Sequence, residues 1–316
     1  MSGNFIPTKV IIPRRAPDVI RRPRLIDALH ESLERRLILV SAPAGYGKTT
    51  LLVDFANDVD LPVCWYSLDE SDRDPGTFLA HLIASIRRQF PNFGVRSTAV
   101  STGSVISARA AAGALTADMV DDVSEYFVWI LDDWHLVEEA AAIREILEHL
   151  LRYAPEHAHL ILASRVLPRK PLVKLVAHSA AAGLGSSDLR FTASEVRELL
   201  ATKFQMEIGE EEAARLVDVS EGWITGILLT SHGMLREMLS GLAQAMADRR
   251  TLYEYLADEV FERLSLPLRR FLLAAAVPSQ FTIAMCDELL GVSEPAVWIG
   301  QAETRGMFLT RVVVDG

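Results

Sequence analysis

Leu37-Ile-Leu-Val-Ser-Ala-Pro-Ala-Gly-Tyr-Gly-Lys-Thr-Thr50 decides how this chain folds. Leu37 to Val40 is an unbroken apolar run, the mark of a short buried strand. The residues after Thr50, LLVDFAND, read as a helix. Between them stands Ala42-Pro43-Ala44-Gly45-Tyr46-Gly47-Lys48-Thr49, so the order is strand, glycine-containing loop, helix. In that order backbone N–H groups can wrap phosphate oxygens, and the helix N-terminus adds partial positive charge. Lys48 is then expected to reach the β and γ phosphates of a nucleotide, and the Thr49 hydroxyl to hold magnesium. The loop contacts are assigned to Pro43, Ala44, Gly45, Tyr46, Gly47, Lys48, Thr49 and Thr50. Ala42 stands where the motif usually has its first glycine. A chance glycine turn is the alternative, and the flanking strand and helix argue against it.

Working outward, Val63 to Leu68 reads as a second strand. Asp74 caps the next helix, with Pro75 at its first position, where a missing N–H costs nothing. Pro91 to Ala117 is rich in Gly, Ser, Thr and Ala and reads as a loop and a weak helix. Phe127 to Leu131 and His159 to Ala163 read as further strands, with a fifth inside Gly183 to Phe191. Strands alternating with helices predict a three-layer α/β sandwich around a parallel five-stranded sheet. After Phe191 the pattern becomes helical up to about Leu290, opening on Thr192-Ala-Ser-Glu195, a capping box. Gly306 to Gly316 is strand-like and stops at Asp-Gly, a hairpin dipeptide, so a longer parent protein is expected. The first thirty residues, rich in Pro and Arg, read as an extended arm. The α/β domain, with the arm, is expected to span 1–190.

Two more strand ends carry chemistry. Phe127-Val-Trp-Ile-Leu-Asp132-Asp133 is an apolar strand closing on two acids. With a phosphate loop upstream, Asp132 is expected to hold magnesium through water, and Asp133 to orient or deprotonate an attacking water. Asp133 is shorter than the glutamate often found there, and two carboxylates at a strand end can be mere surface. His135 reads as a surface helix cap. Arg165, after Leu160-Ile-Leu-Ala-Ser164, can sense a γ-phosphate or be a plain surface arginine. Cys64 reads as core packing, and Asp69, Glu70, Asp72 and Asp74 as a solvated loop with a helix cap.

Composition limits the rest. The chain has 316 residues, half of them apolar, and a net charge of −10. That is globular, and disfavours bulk binding to nucleic-acid phosphates. Its two cysteines, Cys64 and Cys286, make neither a disulfide framework nor a zinc finger, which fits a reducing cytoplasm. The start, MSGNFIPTKVIIPRR, has its bases after a short, proline-broken apolar patch and reads unlike a signal peptide, and no apolar run approaches membrane length.

Taken in order, SAPAGYGKTT, CWYSLDESDRDP, VWILDDWH, LILASR, LRFTASEVRELL and EGWITGI resemble the N-terminal nucleotide-binding module of the MalT-like, large ATP-binding regulators of the LuxR family. These belong to the STAND class of P-loop signalling ATPases. The resemblance runs from about Thr8 to Gly316. It implies a small helical domain at 191–248 followed by a winged helix at 249–316, incomplete here. It implies ATP or ADP with magnesium as ligands, self-association in the ATP state, and DNA binding only through a C-terminal domain absent from this chain. The family motif Gly-Trp-x-x-Gly-Leu becomes Gly222-Trp223-Ile-Thr-Gly226-Ile227. The wider class places a proline near there against adenine. Ile224 occupies that place, so Trp223 and Ile224 are the adenine-side candidates, and Arg24 of Arg22-Pro-Arg-Leu25 is a further one. The family's winged-helix histidine, which touches the β-phosphate of ADP, falls beyond Gly316. Residues 251–316 hold five arginines, no lysine and nine acids, 5 − 9 = −4, the wrong sign for a groove-binding face. The expected function is a nucleotide switch in a transcriptional regulator, with slow hydrolysis. The rivals are a partner-remodelling ATPase with continuous turnover and a non-catalytic scaffold holding ADP.

Overall fold

A computed structural model describes residues 5–101, 107–167, 181–225 and 227–228, then 265–276, 282–283, 285–286 and 295–304. The chain divides into two compact units. The first comprises Met1–Ala42, Gly47–Leu189 and Ala201–Gln205; the second comprises Pro43–Tyr46, Arg190–Leu200 and Met206–Gly316.

The first unit is built on five strands: β1 (Leu37–Ser41), β2 (Val63–Ser67), β3 (Phe127–Asp132), β4 (Ala158–Ser164) and β5 (Ala181–Leu184). They form one sheet in the order β2-β3-β4-β1-β5, and every neighbouring pair is parallel. This is the α/β fold that the sequence predicts. The apolar runs are continuous because central parallel strands are covered on both faces. Leu37 and Leu39, Phe127, Trp129 and Leu131, and Leu160 and Leu162 share one core with three helices. Those are α3 (Pro75–Arg87), α5 (Ala108–Asp122) and α6 (Ala141–Tyr153). The alternate residues Ile38, Val40, Val128 and Ile130 are equally buried. Two further helices, α1 (Pro23–Glu31) and α2 (Lys48–Ala56), pack on each other in the first unit. The path from β1 to β2 runs one way across the sheet, and that from β2 through β3 to β4 runs back. With right-handed crossovers, α2 therefore covers the face opposite α3, α5 and α6.

Local chemistry explains the helix starts. Asp74 accepts the N–H of Thr77 at 2.9 Å, with Pro75 first in α3, as expected. The stretch expected to be a loop and a weak helix contains α4 (Val95–Ser101) as well as a full α5. Distant acids stabilise it: Asp118 accepts from Ser97 N at 2.8 Å, and Asp122 from Gly94 N at 3.1 Å. The fifth strand begins at Ala181, slightly earlier than expected.

The arm departs most from its sequence reading. Pro7–Val10 forms a 3-10 turn, and Lys9 is buried. Its ammonium meets Asp69 and Asp72, each at 2.8 Å. Asp72 is fully buried, which corrects the solvated-loop reading for that residue. Ile6 N donates to Nε2 of buried His81 at 2.9 Å, and Phe5 stacks on the same ring.

The helix α8 (Ala193–Phe204), whose residues up to Leu200 belong to the second unit, opens on the predicted capping box. Thr192 N donates to Glu195 Oε2 at 3.0 Å, and Glu195 N to Thr192 Oγ1 at 3.3 Å. Three glutamates in the first turn of α9 (Glu210–Ser220) suit the positive end of its dipole. Further on, α10 (Leu266–Ala275) and α11 (Pro295–Thr304) surround a small core of Leu268, Phe271, Ala275, Cys286 and Ala302. The strand read at residues 306–316 lies outside the described residues. The short helix after β5, Ser186–Leu189, is α7 and belongs to the first unit. No described helix is long and apolar enough to cross a membrane.

Candidate functional site

In the first unit, β4 lies between β1 and β3, so Ser164 is paired with Ser41 while Asp132 closes β3 beside Ser67 of β2. Strand order thus gathers the tips of β1, β3 and β4 at the carboxyl edge, where open α/β sheets bind ligands. Gly47 precedes α2 with φ +80°, a conformation that favours glycine, and a Cβ there would meet nothing within 4 Å. Its requirement is conformational rather than steric, and the space beside it is open.

Lys48, 7% exposed, donates its Nζ proton to the Ala42 carbonyl at 2.7 Å. Burial pushes its ammonium pKa down to about 8; Asp133 and Asp132 oppose that shift, and the Arg165 charge adds to it. Thr49 Oγ1 donates to Asp132 Oδ2 at 2.7 Å, and the other carboxylate oxygen accepts Asp133 N at 3.0 Å. Asp132 is 3% exposed. Burial, then the neighbouring Asp133 carboxylate, raises its carboxyl to about 6, while Thr49 and Lys48 pull it back. The two groups expected to hold magnesium are therefore already in contact. They supply the hard oxygens that such an ion takes, and magnesium keeps most of its waters and needs only one or two protein oxygens beside phosphate.

Asp133 has φ +60°, a left-handed conformation that Asp tolerates better than most residues, and its side chain is 41% exposed. Nδ1 of His135 lies 3.8 Å from its Oδ1, so His135, expected to be a surface cap, stands next to the candidate base. Arg165 is partly buried just past β4 and close enough to influence Lys48. Sequence reasoning missed Ser164: it is 1% exposed, and its carbonyl accepts the N–H of Ala42 at 3.3 Å, tying β4 to the start of the loop. Arg24 is exposed on α1 and donates to the Asp188 carbonyl at 2.7 Å. Its neighbour Arg22 is buried, with a 3.0 Å bond to the Leu189 carbonyl.

The second unit contains the loop tip, Pro43 to Tyr46. Trp223 Nε1 donates to the Ala44 carbonyl at 3.0 Å. The Gly45 carbonyl accepts from Thr225 Oγ1 at 3.1 Å and from Thr225 N at 3.3 Å. Gly45 has φ +78°, and a Cβ on it would lie 2.4 Å from Thr225 Oγ1 and 2.6 Å from Trp223 Nε1. Conformation and close approach both require glycine here. Ile224 is buried. Burial raises the Tyr46 phenol pKa, with Arg190 and Glu221 charges nearby. Thr225 was not singled out from sequence; its signal is its place inside the Gly-Trp motif.

Comparison with known proteins fits this arrangement. A family described as the MalT winged helix domain matches residues 257–316. The HTH-type transcriptional regulator MalT of Serratia proteamaculans (strain 568) is 31% identical over 99% of the chain. MalT of Yersinia enterocolitica is likewise 31% identical over 99% of it. This is a MalT-like chain. It spans 35% of the length of those two regulators. A Walker-type ATPase of Pyrococcus abyssi shares the fold, with a TM-score of 0.61 at 16% identity, covering 93% of this chain and 91% of that one. The MalT-like chain thus joins a P-loop α/β fold to a winged-helix match.

Proposed function

We propose that this MalT-like chain is the adenine-nucleotide switch of a cytoplasmic transcriptional regulator, its phosphate loop and acids binding ATP or ADP with magnesium. The observation that carries the reading is the bond from Thr49 to buried Asp132 next to the desolvated Lys48. It brings a hydroxyl, a carboxylate and a cation together behind a glycine turn. Magnesium, when bound, would neutralise phosphate charge and fix the geometry of the terminal phosphate. Lys48 would turn from the Ala42 carbonyl to the β and γ oxygens. Asp133, partly exposed and next to His135, would orient a water, and Arg165 would sense the terminal phosphate. Ile224 and Arg24 remain candidates for the base side, while the indole of Trp223, expected there too, is engaged by the Ala44 carbonyl. We assign residues 1–190 to the nucleotide domain, 191–248 to a helical domain and 249–316 to a winged helix.

Exchange of ADP for ATP would favour an open, self-associating form, and hydrolysis would reset it. The two nucleotides must bind the two forms unequally for any shift to occur. DNA would be read by a separate domain of the full regulator, and the chain's negative charge suits that division. The test is to measure ADP and ATP affinity, hydrolysis rate and mass in solution on one preparation. The switch predicts binding of both, self-association with ATP only, and hydrolysis well below about one turnover per second, an ordinary enzymatic rate. Turnover at or above that rate would turn the assignment towards a remodelling ATPase. Tight ADP with no exchange would leave a scaffold.

A further inference from the structure

We propose that Trp223 and Thr225 form a strap that sets the conformation of the phosphate loop, and so are positioning residues for phosphate binding rather than contacts to the base. This rests on the nucleotide-site reading above. A trans peptide points its carbonyl and the following N–H in opposite directions. All peptides of the described chain are trans. The Ala44 carbonyl is held by the Trp223 indole at 3.0 Å, which fixes the 44–45 peptide plane. The Gly45 carbonyl is held twice by Thr225, which fixes the 45–46 plane. With both carbonyls drawn to 223–225, the N–H groups of Gly45 and Tyr46 must face the opposite way. Inward-facing N–H groups are what a phosphate cradle needs.

The strap is itself anchored. The Gly222 carbonyl accepts the N–H of Phe191 at 3.0 Å, and Arg190 pairs with Glu221 at 2.6 Å. Gly222, at φ +66°, leaves no room for a Cβ, which would lie 2.8 Å from Arg190 Cβ and 2.9 Å from Phe191 N. Its N–H is taken by the Val217 carbonyl at the end of α9. Movement of α9 or of 190–191 is thereby transmitted to the peptide planes of the loop. In this arrangement, Trp223 uses its one polar atom on the loop.

The test compares ADP with pyrophosphate, which has no base, by calorimetry on the full chain. Trp223→Phe removes the indole N–H and keeps an aromatic ring; Thr225→Val replaces the hydroxyl by a methyl of equal size. Each change is expected to weaken both ligands by about fivefold, the scale of one neutral hydrogen bond. Thr225→Ser should restore binding. Unfolding midpoints identify any variant that fails to fold, and the Thr225 Val/Ser pair carries the test if Trp223→Phe does. Unchanged binding of both ligands would overturn the strap. Loss confined to ADP would overturn it too, in favour of a base contact. A wild-type chain that binds neither ligand would fail the nucleotide reading itself, a different result from variants that match a binding wild type.

Discussion

Two stretches of one loop are held by different chemistry. Residues 47–49 lie among charges: Lys48 near Asp132, Asp133 and Arg165, and Thr49 on a buried carboxylate. Residues 44 and 45 are held through their carbonyls by an indole and a threonine, all neutral groups. The first stretch answers to pH, cations and phosphate charge. The second answers to where the chain around residue 223 is. The proposed switch would need both kinds of control, one chemical and one conformational, and the residues that would supply them lie within six positions of one another.

The comparison can be broken most sharply at its charged end. Lys48→Ala removes the cation that the phosphates would take, and nucleotide affinity should fall on the order of 100-fold or more in equilibrium titration. Unchanged affinity would remove Lys48 from the site. At the neutral end, Gly45→Ala adds a Cβ that meets Thr225 and Trp223 and forces a left-handed alanine, costing roughly 1–2 kcal/mol. Binding should weaken about tenfold with little change in its pH dependence. A changed pH profile in that variant would mean that the two stretches are not separately controlled.

A smaller effect follows from Asp132. Its folded carboxyl is raised to about 6 by burial, above its unfolded value near 4. The folded chain therefore holds an extra proton between those values. Stability falls as pH rises through that window, and the full cost remains above it. Asp132→Asn should thus melt roughly 5 °C higher than wild type at pH 7.5 without magnesium, and no higher near pH 4. The same variant should lose the magnesium dependence of nucleotide binding. A lower melting point at pH 7.5 would deny that burial dominates at this carboxylate. The smallest effect concerns Lys48, whose pKa is lowered to about 8 by burial. Phosphate would favour its charged form, so ADP binding at pH 8 should take up on the order of half a proton. Calorimetry in buffers of different ionisation heat reads it directly, and no uptake would place the phosphates away from Lys48.

The sheet was legible because buried parallel strands are written as apolar runs, and the loop because its glycines, lysine and threonine follow one of them. Asp132 was legible for the same reason, as the acid closing such a run. What could not be read depends on partners remote in sequence. Asp118 and Asp122 stabilise the start of α4 from another helix, so a stretch without apolar period still forms helix. Thr225 bonds twice to one main-chain carbonyl, that of Gly45, and every residue has a carbonyl, so no residue pairing announces the contact. Asp72 looked like one of four solvated acids because Lys9 is 63 residues away.

That last pair has an evolutionary consequence. Asp72 is wholly enclosed, and Lys9 and the N–H of Asp69 are what meet its Oδ2. A lineage that loses the lysine first inherits a sealed, uncompensated charge, and removing one partner of a buried pair costs several kcal/mol. The two positions are therefore expected to drift as one inherited character. Descendants should keep both or replace both, although the segment that carries Lys9 reads, by composition alone, as an extended arm.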